Sequence, residues 1–343
     1  MSSAYICNEG GITLIEVKNL VKRYGNYLAV DNISFTVEKG EIVGFLGPNG
    51  AGKSTTMNVM TGYLSATEGS VVIDDYDIFD EPEEAKKLIG YLPEQPPVYM
   101  DMTVVEYLEF VASLKSVDRK LRRAQIKEIL EDTKLVEVKG RLIRHLSKGY
   151  RQRVGIAGAL VGYPELIILD EPTVGLDPKQ IIEIRDLIRK LSMKHTIILS
   201  SHILSEISAV CERIIIINRG KVVADATPKQ LSVEANKNPG LKLSVKGSLD
   251  KVKGILGKLD TIDYINEEVQ SGELCSMMIY TKDKYDIREE VFGLLAKEGL
   301  PIYEMQLKTL SLEDIFLNLT QENDYSYEED ENGKEEKNHV SNI

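Results

Sequence analysis

The chain has 343 residues, 43% of them hydrophobic and 28% charged, with a formal net charge of −12. That is enough apolar material for one large domain or two ordinary ones, in the composition range of a soluble protein. No apolar run reaches the ~18 residues of a membrane span, Met1 to Gly11 lacks the basic-then-apolar pattern of a secretory signal, and Cys7, Cys211 and Cys275 are too scattered for a disulfide framework or a zinc site.

In chain order, Leu14 to Val17 and Ile33 to Val37 read as strands around a turn at Tyr24-Gly25-Asn26. Glu41 to Leu46 is an apolar run that reads as a buried strand. It leads into Gly47-Pro48-Asn49-Gly50-Ala51-Gly52-Lys53-Ser54-Thr55, which fits G-x-x-x-x-G-K-[ST] at every fixed position. Lys53 to Thr61 then reads as the start of a helix. Strand, glycine-rich loop and helix N-terminus together make a phosphate cradle. Gly47, Gly50 and Gly52 let the backbone come close to a ligand, and amide groups through Asn49 and Ala51 point inward. Lys53 reaches the β- and γ-phosphates, Ser54 offers its hydroxyl to Mg²⁺, and Thr55 bonds the α-phosphate.

Further along, Val71 to Ile73 and Ile89 to Leu92 read as strands, with Glu83 to Leu88 helical between them. From Val104 to Lys148 the apolar spacing is helical, with Val104, Leu108, Val111 and Leu114 on one face. Leu166 to Leu169 and Thr196 to Leu199 lack alternation, as parallel strands covered on both sides do. Ile181 to Leu191 reads as the helix between them, and Ile214 to Ala224 as a hairpin turning at Gly220. The run Leu166-Ile167-Ile168-Leu169-Asp170-Glu171 places two carboxylates at a strand's C-terminal end, where open α/β sheets bind ligands. Asp170 suits Mg²⁺, most simply through water, and Glu171 suits the general base that polarises an attacking water. His202 follows its own strand by three residues and is expected at the same sheet edge.

Asn236-Lys237-Asn238-Pro239-Gly240 is a linker signal. After it the order is strand (241–245), helix (249–259), two strands (262–269 and 274–281), helix (287–297), strand (302–307) and a last helix (312–319). That is the βαββαβ pattern of a ferredoxin-like module. Charge is unevenly spread. Lys115 to Arg153 carries a net charge of +8, and Glu322 to Ile343 carries −6 with few large apolar side chains. The first segment suits a nucleic acid, a membrane surface, acidic partner loops or simply water, and the second reads as a disordered tail.

The phosphate loop and the strand with its carboxylate pair, in this order, resemble the nucleotide-binding subunit of an ATP-binding cassette (ABC) transporter over roughly residues 12–235. Further motifs match in the family's order. Leu146-Ser147-Lys148-Gly149-Tyr150 resembles the signature loop, whose serine and glycine, here Ser147 and Gly149, bind the γ-phosphate held by the opposite subunit. Gly175-Leu176-Asp177-Pro178 resembles the D-loop that crosses the dimer interface, Ser201-His202 the switch histidine, and Tyr24 the aromatic platform for adenine. Two positions depart from the pattern. Lys148 and Tyr150 replace a glycine and a glutamine of the signature, and Glu94, followed by Gln95, stands where the family has its Mg²⁺-coordinating glutamine.

The resemblance implies an α/β P-loop NTPase cassette with a mixed-sheet core and a helical subdomain at about 102–150, followed by the ferredoxin-like module (241–320) and the tail (322–343). It implies ATP and Mg²⁺ as ligands and ATP hydrolysis as the activity. The expected partners are transmembrane permease subunits and a second ATPase subunit, identical or related, with the chain held at the cytoplasmic membrane face through the permease. The departures resemble single-cassette subunits of ABC-2 type exporters, and no nucleic acid is expected as partner. The alternative is a non-transport ABC ATPase acting on nucleic acid or the ribosome. Against it, no heptad array divides the cassette, and only one phosphate loop is present.

Overall fold

A computed structural model describes residues 12–235, 240–282, 286–308 and 312–321. The readings made for Met1 to Gly11, for most of the linker (236–239) and for the acidic tail (322–343) concern residues outside that set. The chain divides into two compact units between Thr227 and Pro228.

The first unit opens with a long antiparallel hairpin, β1 (Thr13–Tyr24) and β2 (Tyr27–Glu38). Both strands are longer than the short apolar runs foreshadow. The pairing slips register several times, and Asn19 and Asn32 take left-handed backbone (φ 47° and 51°), so alternation breaks while the ladder continues. Next come β3 (Ile42–Leu46), α1 (Lys53–Met60), β4 (Glu68–Ile73) and the two-residue β5 (Tyr76–Asp77). The helix α2 (Pro82–Lys87) and β6 (Ile89–Leu92) follow. A helical stretch comprises α3 (Val104–Leu114), α4 (Arg119–Asp132), two 3₁₀ turns and α5 (Lys148–Leu160). Thr103 and Glu106 close α3 with a capping box.

The remaining elements are β7 (Leu166–Leu169), α6 (Pro178–Ser192), β8 (Thr196–Ser201), α7 (Leu204–Ser208), β9 (Arg213–Asn218) and β10 (Lys221–Ala226). Two sheets result. One is antiparallel, in the order β2-β1-β4-β5. The other is β10-β9-β3-β8-β7-β6, parallel from β9 to β6 with β10 as an antiparallel edge. A core lies between them and around α1, where Leu14, Phe35, Phe45, Met57, Ile73 and Ile198 are buried. Each large apolar side chain buried there contributes about 1.5–3 kcal/mol. The helix α5 is invisible to apolar periodicity because Gly155 and Gly158 interrupt it. Those glycines permit close packing, since a Cβ at Gly155 would lie 2.6 Å from Leu92 and one at Gly158 2.9 Å from the Tyr107 hydroxyl.

The second unit begins with α8 (Pro228–Ala235), so that helix groups with the C-terminal part of the chain and not with the cassette as 12–235 supposes. Its partner is α11 (Leu312–Gln321), which it meets within this unit. Between them run β11 (Gly240–Lys246), α9 (Leu249–Leu256), β12 (Ile262–Ser271), β13 (Leu274–Thr281), α10 (Arg288–Lys297) and β14 (Ile302–Lys308). The sheet is wholly antiparallel in the order β12-β13-β11-β14. Leu243, Val245, Met277 and Ile279 from the sheet pack with Val252 and Leu256 of α9 and Val291 and Leu295 of α10. Two helices and four strands in this order form a split βαβ unit.

Candidate nucleotide site

In the six-stranded sheet, β3 lies between β8 and β9, and β7 lies on the far side of β8. These strands are parallel, so the residues following β3, β7 and β8 emerge at one carboxyl edge. The phosphate loop, Asp170-Glu171 and His202 follow those three strands.

The loop is shaped by close approach. A side chain at Gly47 would meet the Ile217 carbonyl at 2.3 Å, and Gly52 holds φ 104° with the Ala29 carbonyl 2.6 Å from where its Cβ would be. Ala51 N–H donates to the Pro48 carbonyl at 3.2 Å and Thr56 N–H to Gly52 at 2.9 Å. The N–H groups of Asn49, Gly50, Gly52, Lys53, Ser54 and Thr55 have no acceptor among the described residues. Six free donors at the start of α1, where the helix dipole is positive, make a cradle for an anion.

Lys53 is 6% exposed. Its ammonium donates to the Gly47 carbonyl at 2.8 Å and the Pro48 carbonyl at 3.3 Å, and stands 3.3 Å from Glu171 Oε1. The other carboxylate oxygen, Oε2, is 3.0 Å from His202 Nδ1. Lysine, carboxylate and imidazole thus form one chain of contacts from the phosphate loop to the end of β8. Glu171 is buried, and His202 is 40% exposed by its side chain, which leaves the chain open to solvent at one end.

Asp170 is also buried, and its Oδ1 accepts from the Ser200 hydroxyl at 2.6 Å. The same hydroxyl accepts from Glu171 N–H at 2.8 Å. Beyond it, the buried Glu206 of α7 accepts from the hydroxyls of Thr173 and Ser201. Sequence reasoning misses Ser200, Thr173 and Glu206. Ser200 follows the apolar run Ile197–Leu199 in β8, and Glu206 lies one helical turn beyond His202; a buried polar group at either place needs a partner, and this is the one available signal.

Ser147 and Gly149 sit at the start of α5. Ser147 caps the helix by accepting from Tyr150 N–H at 3.3 Å, and its own hydroxyl hydrogen has no acceptor among the described residues. A Cβ at Gly149 would press on the Gln180 side chain at 2.7 Å, and one at Gly175 would lie 2.1 Å from the Lys148 ammonium. Asp177 caps α6 by accepting from Gln180 N–H at 2.9 Å. The signature-like and D-loop-like segments therefore form one patch. No hydrogen bond or ion pair among the described residues joins that patch to the phosphate loop. Tyr24 ends β1 with its ring 47% exposed and the Lys22 ammonium 5.3 Å from the ring centroid. Glu94 and Gln95 are both exposed just past β6.

Mg²⁺ prefers oxygen ligands and keeps several waters when phosphates share its shell. A serine hydroxyl (Ser54) in the cradle and a buried carboxylate (Asp170) at the carboxyl end of β7 form a donor set of that kind. Among the described residues no group of three or more His, Cys, Asp or Glu could hold a metal by itself.

Comparison with known proteins points to one family. The ABC transporter family model matches residues 30–174. The chain is 34% identical over 328 residues to an uncharacterised ABC transporter ATP-binding protein, YhcH, of Bacillus subtilis, covering 90% of this chain and 97% of that one. It is 34% identical over 309 residues to the bacitracin transport ATP-binding protein BcrA of Bacillus licheniformis, covering 90% and 97%. Among solved structures, a dimeric post-hydrolysis state of the ATP-binding cassette MJ0796 bound to ADP and Pi superposes with a TM-score of 0.57 at 30% identity, covering 62% of this chain and 98% of that one. With likeness running through nearly the whole length of two such relatives, and with the cradle, the carboxylate pair and the histidine at one sheet edge, this chain belongs to the ABC transporter family as an ATP-binding, ATP-hydrolysing subunit.

Proposed function

We propose that this chain powers an exporter, and that ATP works by closing two ATPase subunits on each other beneath permease subunits. The observation that carries the reading is the contact chain Lys53–Glu171–His202 at the mouth of a cradle with six unpaired amide donors.

The triphosphate enters the loop from Gly47 to Thr55. Amide groups take its oxygens, and the Lys53 ammonium exchanges part of its pairing with Glu171 for the β- and γ-phosphates. Ser54 and Asp170, with Glu94 just past β6, would hold Mg²⁺, which when bound screens phosphate charge. Freed from Lys53 on one side, the Glu171 carboxylate accepts the proton of an attacking water. His202 holds Glu171 through Nδ1 and turns its exposed edge to the γ-phosphate. Tyr24 presents the open part of its ring to adenine.

Among the described residues no hydrogen bond or ion pair joins Ser147 and Gly149 to their own phosphate loop. They serve the nucleotide of the facing subunit, with Asp177 alongside. ATP then touches both subunits only in the closed state and so stabilises closure, and loss of the γ-phosphate reopens the pair. The second subunit is another copy of this chain or a related one.

The basic segment from Lys115 to Arg153 suits acidic cytoplasmic loops of a permease. Permease subunits would supply the path; among the described residues no helix is long and apolar enough to cross a membrane. The relative named for bacitracin transport makes bacitracin a first substrate to test. The second unit carries no catalytic constellation among its described residues and is assigned an accessory role in dimerisation or regulation. Affinity purification from the native membrane tests the reading. A polytopic membrane protein should accompany the chain. Recovery with RNA or DNA in its place would reject the transport role.

A further inference from the structure

The carboxylate pair sits on a strained corner. Glu171 holds φ 48°, in the left-handed region that a side-chain-bearing residue enters at a cost unless its surroundings fix it. That corner turns Asp170 and Glu171 to different partners: Asp170 Oδ1 bonds Ser200, while Glu171 reaches Lys53 and His202. One group touches both residues. The Ser200 hydroxyl donates to Asp170 at 2.6 Å and accepts from the Glu171 backbone N–H at 2.8 Å.

Ser200 is fully buried in β8. The register pairs Leu169 of β7 with Leu199 of β8, so Ser200 stands one step on, beside Asp170. A hydroxyl is the smallest side-chain group that both donates and accepts. Here its two bonds run to consecutive residues on opposite sides of one peptide unit. An alanine would leave the Glu171 N–H without an acceptor and take the Ser200 donor from Asp170, and among the described residues no other side chain bonds the backbone of that left-handed corner.

We infer that Ser200 is a positioning residue for ATP hydrolysis: it fixes the Asp170–Glu171 corner in the left-handed conformation that aims Glu171 at the attacking water. The inference rests on the hydrolytic role proposed for Glu171. It concerns the chemical step, since no hydrogen bond or ion pair among the described residues joins Ser200 to the phosphate loop. A misaimed base slows turnover and leaves the cradle as it was.

The test measures kcat and KM for Mg-ATP with the full chain and three variants: Ser200→Ala, Glu171→Gln and the double variant. Ser200→Ala should lower kcat by about 10- to 100-fold with KM within about twofold of the parent. In the Glu171→Gln background the same change should lower residual turnover no further, because the group it aims is already gone. A kcat within about threefold of the parent, a rise in KM at unchanged kcat, or an undiminished loss in the Glu171→Gln background would each overturn the inference. Should Ser200→Ala fail to fold, Ser200→Thr decides: retained turnover supports the hydroxyl's role, and a folded Thr variant with turnover lost overturns it. If Glu171→Gln itself turns over ATP like the parent, the hydrolytic reading fails first, and that outcome is read from a separate variant.

Discussion

Replacing Glu171 with Gln separates binding from hydrolysis. The substitution keeps side-chain length and volume, leaves the left-handed corner to its Ser200 tie, and preserves an oxygen for His202. It removes the negative charge 3.3 Å from Lys53. Breaking a buried ion pair costs about 3–5 kcal/mol when the remaining charge is left uncompensated. Here the Lys53 ammonium keeps the Gly47 and Pro48 carbonyls at 2.8 and 3.3 Å, so the cost to the nucleotide-free protein should be nearer 1 kcal/mol, the scale of an ordinary hydrogen bond. Lys53 no longer has to leave a carboxylate for phosphate, so ATP affinity should stay level or rise. Turnover should fall by about 10²- to 10⁴-fold, the usual worth of a general base. Phosphate release under steady state reads the turnover, and sedimentation with and without Mg-ATP reads the assembly. Turnover within about fivefold of the parent would refute the assignment of the base. Loss of ATP binding would refute the claim that Glu171 and the cradle act separately.

Other outcomes follow from single contacts. Lys53→Ala removes the cation at the cradle and should weaken ATP binding by about 100-fold in a fluorescence titration, on the scale of charge-assisted phosphate contacts; near-parental affinity would mean that the amides alone hold the ligand. Gly158→Ala would place a Cβ 2.9 Å from the Tyr107 hydroxyl and should lower stability by about 1–3 kcal/mol in thermal denaturation, with Tyr107→Phe restoring part of it. Leu243→Ala, in the fully buried core of the second unit, should cost about 2–5 kcal/mol, read as faster amide exchange over 240–308.

The chemistry of the first unit is legible in the sequence because it depends on spacing within short segments. A phosphate loop must join a buried strand to a helix start, and Leu166 to Glu171 must be an apolar strand ending in carboxylates. Both follow from chain-local chemistry, as does the order of strands and helices after 240. What the sequence hides depends on neighbours distant in the chain. The helix α5 is masked by Gly155 and Gly158, whose reason is the side chains pressed against them. The full length of β1 and β2 is masked by bulges at Asn19 and Asn32. The helix α8 has only a weak apolar face and is placed by its meeting with α11. Ser200 and Glu206 look like ordinary polar residues until the sheet brings β7 and β8 together. Glu94 is exposed at a strand end beside the equally exposed Gln95, and the fold does not single out either.

The central claim is that each ATP is shared between two subunits. A structure of the Glu171→Gln protein grown with Mg-ATP tests it most directly. The account predicts a γ-phosphate within about 3.2 Å of the Lys53 ammonium in one protomer and of the hydroxyl of Ser147 of the partner subunit. A triphosphate contacted by one protomer only, with Ser147 facing solvent in the assembled pair, would contradict it.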